Sequence, residues 1–300
     1  MNLNIVCDTL SINLLNKEKY INLKCLCFSF YFKSKYFKMD DSYLYYPSNY
    51  VKKRCFYLDV SYIELTSLKL KNFSNLEILD CSVNKLYKID LKYIPKLKIL
   101  ECHDNEIKSL DLKYTTKLIS LVCCANSMDN LDLSYSPKLR RIDLPFNQFS
   151  NLNTKYNLQL LSLDCTYNCL IKLDLTCNSK LKQLNCSENG ITHLDLKNNT
   201  KLKFLLCCNN QIELLDLKFN TKLKFLLCCN NQIKSLNLRC NPELKKLYCE
   251  YNQIKSLDLR CNHKLKILDC RHNQIEFLDL NNNIELKIEY IDNKCLIITR

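Results

Sequence analysis

Residues 244–254 read LKKLYCEYNQI, and the chain continues over 254–262 as IKSLDLRCN. Moving 21 positions in either direction returns the same pattern. Asn84, Asn105, Asn126, Asn147, Asn168, Asn189, Asn210, Asn231, Asn252 and Asn273 follow one another at that spacing without a slip. Leu stands eight positions before each of them, from Leu76 to Leu265. Three before is Cys in nine of the ten, with Leu144 the exception, and two after is an apolar residue such as Ile107 or Ile254. A second asparagine column, Asn157 to Asn283, repeats the logic as LxxLDLxxN, so each unit holds two nested halves.

Alternation within LxLxC sends Leu and Cys to one side of an extended segment and the intervening residues to the other. Successive coils then pair as parallel strands roughly 4.8 Å apart, giving a rod about 50 Å long for eleven coils. No coil buries its apolar face alone, so stability comes from stacking and the ends need caps. The inward Asn turns the chain and offers its amide to backbone groups of the neighbouring coil, a role worth about 1–3 kcal/mol per buried group satisfied.

The LxxLxCxxNxI core resembles the leucine-rich-repeat family, and the nested form is similar to its 21-residue IRREKO class. The residue bias resembles that of repeat proteins from mimivirus-like giant viruses. What this implies is an α/β repeat solenoid with one parallel β-sheet face. Short second strands or turns stand in place of helices, and a small helical segment precedes the coils. Residues 54–284 hold the repeats, the first being degenerate, with Ile63 where Asn should stand. Residues 285–300 depart from the register at Leu286, Ile288 and Tyr290 and read as a C-terminal cap.

One glycine, Gly190, serves the whole chain. Phosphate-cradling loops and nucleophile elbows need several, so nucleotide-loop enzymes and such hydrolases are excluded. The four histidines, His103, His193, His263 and His272, fall at different repeat positions and form no nucleophile–base pair. Twenty-one cysteines are read as reduced thiols of an intracellular protein, because Met1 to Leu15 lacks a basic n-region and a cleavage site. The column cysteines are core residues acting as small hydrophobes. The outward pair Cys208 and Cys229 is a weak metal candidate, and no cofactor or bound metal is expected.

The formal charge of +13 admits a nucleic-acid reading. Lys180, Lys182, Lys201, Lys203, Lys222 and Lys224 line the approach to the strands. An acidic column from Asp90 to Asp279 is flanked two residues on by a basic one from Lys92 to Arg260, which reads as a solvated face. Nucleic acid is therefore the least favoured partner, and the longest apolar run, residues 25–32, is too short to span a membrane.

The informative departure is on the sheet's outward face. Where most coils carry polar residues, such as Gln183 with Asn185, two carry Phe204, Leu206, Phe225 and Leu227, flanked by Tyr248. Such a patch marks a partner site; alternatively, the near-identical coils (KLKFLLCCNNQI twice) are a duplication that doubled an accident.

Residues 1–50 lack the repeat. Leu10, Leu14, Leu15, then Tyr20, Leu23, Cys27 and Phe30 stand at helical spacing, although a strand over residues 23–27 is also open. The run LLNKEK at 14–19, INLKCLC at 21–27 and Phe30-Tyr31 resembles the F-box. It departs from that module at Asn4, where Pro is usual. The resemblance implies docking to the adaptor of a cullin-type ubiquitin ligase, through residues such as Leu3, Leu10, Leu15 and Leu23. The other reading is an N-terminal cap. Either way the expected function is non-enzymatic protein–protein interaction.

Overall fold

The computed structural model describes residues 53–298 together with the strand Cys25–Cys27. Among the described residues fifteen strands of three residues each follow one another. β1 is Cys25–Cys27, β2 Tyr57–Asp59, β3 Ile78–Asp80, β4 Ile99–Glu101 and β5 Ser120–Val122. β6 is Arg141–Asp143, β7 Ser162–Asp164, β8 Gln183–Asn185, β9 Phe204–Leu206 and β10 Phe225–Leu227. β11 is Lys246–Tyr248, β12 Ile267–Asp269, β13 Phe277–Asp279, β14 Ile288–Tyr290 and β15 Leu296–Ile298. β1 to β12 and then β14 form one parallel sheet in chain order, and β13 pairs with β15. The molecule is a leucine-rich-repeat solenoid whose ladder keeps the 21-residue register throughout the repeats, for example Leu205 opposite Leu226 and Leu247.

From β3 to β12 the middle residue of each strand points inward, where it is buried with the Leu before the strand and the Cys after it, Leu144 standing for Cys after β6. One apolar core runs from Cys55 to Leu280. Asparagine closes the turn that follows. The Asn210 amide nitrogen donates to the carbonyls of Cys186, Cys207 and Cys208 at 3.0–3.2 Å. Its Oδ1 accepts from the N–H of Ile191, nineteen positions earlier, at 3.0 Å. Ile63, in the degenerate coil, receives rather than makes this contact: its N–H donates to Asn84 Oδ1 at 3.3 Å.

The residue before each ladder Asn adopts the left-handed conformation. Val83, Ala125, Tyr167, Tyr251 and six others, the last of them His272, have φ between 50° and 56°. None is Gly, so each coil carries roughly 1 kcal/mol of local strain, offset by the amide bonds that Asn makes from the next position.

The second half of each coil is made of turns. Among the described residues it contributes only the strands β13 and β15 and one isolated bridge, Lys172 to His193. The acidic column explains itself here. Asp195 Oδ1 accepts from Lys197 N at 3.0 Å, and Asp216 does the same for Lys218 at 3.1 Å. The same lysines return ion pairs of 3.0 and 3.2 Å to those carboxylates. In the first coils these turns tighten into 3₁₀ turns at Leu91–Tyr93 and Leu112–Tyr114.

The second asparagine column is fully buried from Asn157 to Asn262. Asn262 Nδ2 donates to Asn241 O at 2.9 Å and to Leu238 O at 3.1 Å. Its Oδ1 accepts nothing, as do those of Asn157, Asn199, Asn220, Asn241 and Asn283. Asn178 differs because Thr154, standing where its neighbours have Leu, donates its hydroxyl at 2.8 Å.

The two ends revise the sequence reading. Cys25–Cys27 is a strand parallel to β2, with Leu26 opposite Leu58, so the helical spacing through Leu23 and Cys27 does not describe this stretch. An extended segment here gives the first coil a backbone partner, which a helix would not. Leu3, Leu10, Leu15 and Leu23 lie outside the described residues. At the other end, Ile288 pairs with Ile267 in the 21-residue register. The departure read at Leu286–Tyr290 therefore leaves the ladder itself intact.

Candidate partner-binding face

Outward residues of the sheet form two columns, one from the first and one from the third residue of each strand. Phe204 and Phe225 are neighbours in the first column and stack with ring centroids 4.8 Å apart and planes at 20°. Lys246 follows, its Nζ 5.3 Å from the Phe225 ring centre. Leu206, Leu227 and Tyr248 are successive members of the other column. The structure thus brings all five predicted residues onto one continuous surface.

Their exposure differs from expectation. Each is half-buried rather than open, because residues one strand apart cover each other's flanks. The contrast with other coils is also finer than polar against apolar. Ile78, Ile99 and Ile267 occupy the first column too, but each has a carboxylate beside it in the second: Asp80, Glu101 and Asp269. In β9 and β10 Leu replaces that carboxylate, and both columns become apolar over two adjacent strands.

The carboxylates are engaged at home. Asp80 Oδ1 accepts from Ser82 N at 3.0 Å and from its hydroxyl at 2.5 Å. Asp164 does the same for Thr166, at 3.0 and 2.6 Å. Asp143 is paired with Arg141 and Asp269 with Arg271. Burial pushes the Asp164 carboxyl above the usual carboxylate range, against the pull of its Thr166 bonds. These carboxylates close the turns that follow their strands.

The column cysteines are buried free thiols. Burial pushes the Cys207 thiol up to about 12, and Cys165, Cys186, Cys228 and Cys249 are raised in the same way. They stay protonated at neutral pH and act as small hydrophobes. Cys208 and Cys229 revise the metal suggestion: they form a disulfide between neighbouring coils, with Cα atoms 4.6 Å apart, inside the range such a bond requires. Among the described residues, no group of three or more His, Cys, Asp or Glu could hold a metal ion.

The histidines do not converge. His103 sits against Asp104 at 2.7 Å, and His272 stacks on Tyr251 with centroids 4.2 Å apart. His193 lines a shallow cavity of about 380 Å³ with Asp174 and Asp195. Both carboxylates are held below their ordinary range by turn hydrogen bonds, from Thr176 and Lys197 respectively.

One feature escaped the sequence reading. Tyr114, Tyr135 and Tyr156 recur at the coil spacing on the turn side and are 40–52% exposed. Lys113 lies over the Tyr114 ring at 4.9 Å and Lys155 over Tyr156 at 5.9 Å. The column was legible as a period but is broken by Cys177 and Asn198 in the following coils.

Neither a family model nor a curated protein matches the sequence. Solved structures do. The functional domain of InlJ from Listeria monocytogenes, described as including a cysteine ladder, is similar at 31% identity with a TM-score of 0.76. The match covers 77% of this chain and 52% of that one, so this chain spans about half the length of that domain. The leucine-rich-repeat protein LIC12759 of Leptospira interrogans gives 20% identity and a TM-score of 0.74, over 79% of this chain and 67% of that one. The LRIM1/APL1C complex gives 21% and 0.63, over 83% and 48%. These likenesses define the class of the fold, a leucine-rich-repeat solenoid.

Proposed function

We propose that this chain is a non-enzymatic binding protein that holds a protein partner on the outward face of its sheet. Phe204, Leu206, Phe225, Leu227 and Tyr248 form the centre of that site. The observation that carries this reading is the joining of two apolar columns at β9 and β10, continued by Tyr248 of β11, on a rigid parallel sheet where β2, β3, β4, β6, β7 and β12 place a carboxylate in the second column. Stacked aromatic rings on a preformed surface lose little freedom on binding and supply large contact area. The similarity to the LRIM1/APL1C complex, an assembly of two proteins, favours a protein partner.

The finer roles rest on sequence. Docking to a ubiquitin-ligase adaptor is implied by the F-box resemblance, and Cys25–Cys27 is extended where that module is helical. A plain repeat binding protein is the better-supported reading. An intracellular, reducing setting is proposed from the many free thiols, while the Cys208–Cys229 disulfide counts against it and departs from the reading of every cysteine as reduced. A photo-crosslinking residue at Leu206 tests the site. It should capture a protein that the same residue at Val122, on an N-terminal coil, does not; equal capture at both positions would dismiss the patch.

A further inference from the structure

The first lysine-bearing strand border of the solenoid is neutral. Lys98, one residue before β4, pairs with Glu77 of the preceding coil at 2.8 Å. The same border position is then occupied in unbroken succession by Lys182, Lys203, Lys224, Lys245, Lys266 and Lys287. Lys266 is paired with Glu285 at 3.2 Å. Lys182, Lys203, Lys224 and Lys245 have no ion pair among the described residues. They belong to the ladder itself: Lys203 N and Phe204 N both donate to Lys182 O, at 2.8 and 3.2 Å, and Lys224 N donates to Lys203 O at 2.9 Å. Four lysines thus leave successive strands whose backbones lie roughly 4.8 Å apart, immediately beside Phe204 and Phe225.

Glu243, whose own ion pair is with Lys264, also draws on Lys224 and Lys245; the charge left over along the row repels itself, and an anionic ligand relieves it. The opposite half of the same sheet carries Asp59, Asp80, Glu101, Asp143 and Asp164. An anionic ligand is therefore directed to the C-terminal coils and away from the N-terminal ones. The surroundings of the row select among polyanions. Phe204 and Phe225 occupy one face of each other, and Lys246 lies over Phe225, so a base finds no run of open rings to stack on, only the outer face of Phe204. The remaining neighbours, Leu206 and Leu227, suit aliphatic side chains.

We infer that the partner segment seated on β8 to β11 is an acidic polypeptide. Its carboxylates lie along Lys182, Lys203, Lys224 and Lys245, and its aliphatic side chains lie on Leu206, Leu227 and the Phe204–Phe225 pair. This rests on the partner-binding reading of the apolar patch.

The test uses the full chain and three fluorescent probes: a synthetic peptide repeating Glu-Leu-Glu-Gly, its Gln-Leu-Gln-Gly counterpart, and an oligo-deoxythymidine of similar charge. The parent should bind the acidic peptide best, and Lys203→Glu/Lys224→Glu/Lys245→Glu should weaken it at least tenfold. A milder Lys203→Gln/Lys224→Gln/Lys245→Gln variant should fall between, and thermal melts should match the parent for both. Undiminished binding by the charge-reversed chain, no binding of the acidic peptide by the parent, or tighter binding of the oligonucleotide would overturn the inference. Phe204→Ser/Phe225→Ser separates the two readings. Acidic-peptide binding that survives it but not the charge reversal upholds the lysine row and dismisses the apolar patch.

Discussion

Asn231 Oδ1 accepts the backbone N–H of Ile212 at 3.0 Å, nineteen positions earlier in the chain. At the same time its amide nitrogen donates to the carbonyls of Cys207, Cys228 and Cys229, at 2.9, 3.2 and 3.1 Å. One side chain therefore closes its own turn and ties it to the coil before. Asn231→Ala would strand these buried groups together. At about 1–3 kcal/mol for each buried group left unpaired, it should lower the free energy of unfolding in urea by at least about 2 kcal/mol. A loss below about 0.5 kcal/mol would mean that water or a shifted backbone replaces the asparagine.

The residue before the ladder Asn bears the strain. Ala125 has φ of 50°, and the equivalent positions Asn209 and Asn230 show which residue tolerates that region. Ala125→Asn should stabilise the chain by about 0.5–1 kcal/mol. Unchanged or reduced stability would show that the left-handed turn is relaxed in solution.

The thiols divide by register. Cys169, Cys240 and Cys261 are exposed, whereas the column from Cys81 to Cys270 is buried. Maleimide should modify the exposed three in the native protein and leave the column untouched until denaturant is added. Native labelling of Cys207 or Cys228 would contradict the inward register.

Asp164 makes a prediction about pH. Burial first, and the Asp143 charge as well, raise its carboxyl above the unfolded value. The native chain therefore holds that proton more tightly than the unfolded chain. This contribution falls as pH rises from the ordinary carboxylate range through the raised value, and the charged form is a cost at neutral pH. Asp164→Asn, copying Asn185 of the next coil, should raise the melting temperature more at pH 7 than at pH 4. A larger gain at pH 4 would reverse the sign.

Much of this was readable from residues 244–262 alone. A strict period fixes which residues face inward, and a polar residue that recurs inward must be satisfying backbone, so the role of Asn252 was legible. Other features left no such trace. The β1 strand is a single short segment in an aperiodic stretch, where spacing at Leu23 and Cys27 fits a helix equally well. The left-handed turns carry no glycine signal, since Val83, Phe146 and Tyr167 occupy them. The half-burial of Phe204 arises from Phe225, a neighbour in space that sequence spacing suggests but does not orient. The pairing of Cys208 with Cys229 likewise depends on how two side chains turn toward each other across one coil step.

The proposed site concentrates partner binding where both outward columns become apolar. The direct measurement is the Kd of a protein captured through Leu206, titrated against the parent chain and against Phe204→Ser/Phe225→Ser, with thermal melts alongside. The double variant should melt close to the parent, since both rings are outside the core, and bind about thirtyfold or more weakly, the loss of a hot-spot pair. An unchanged Kd in a folded double variant would contradict the account.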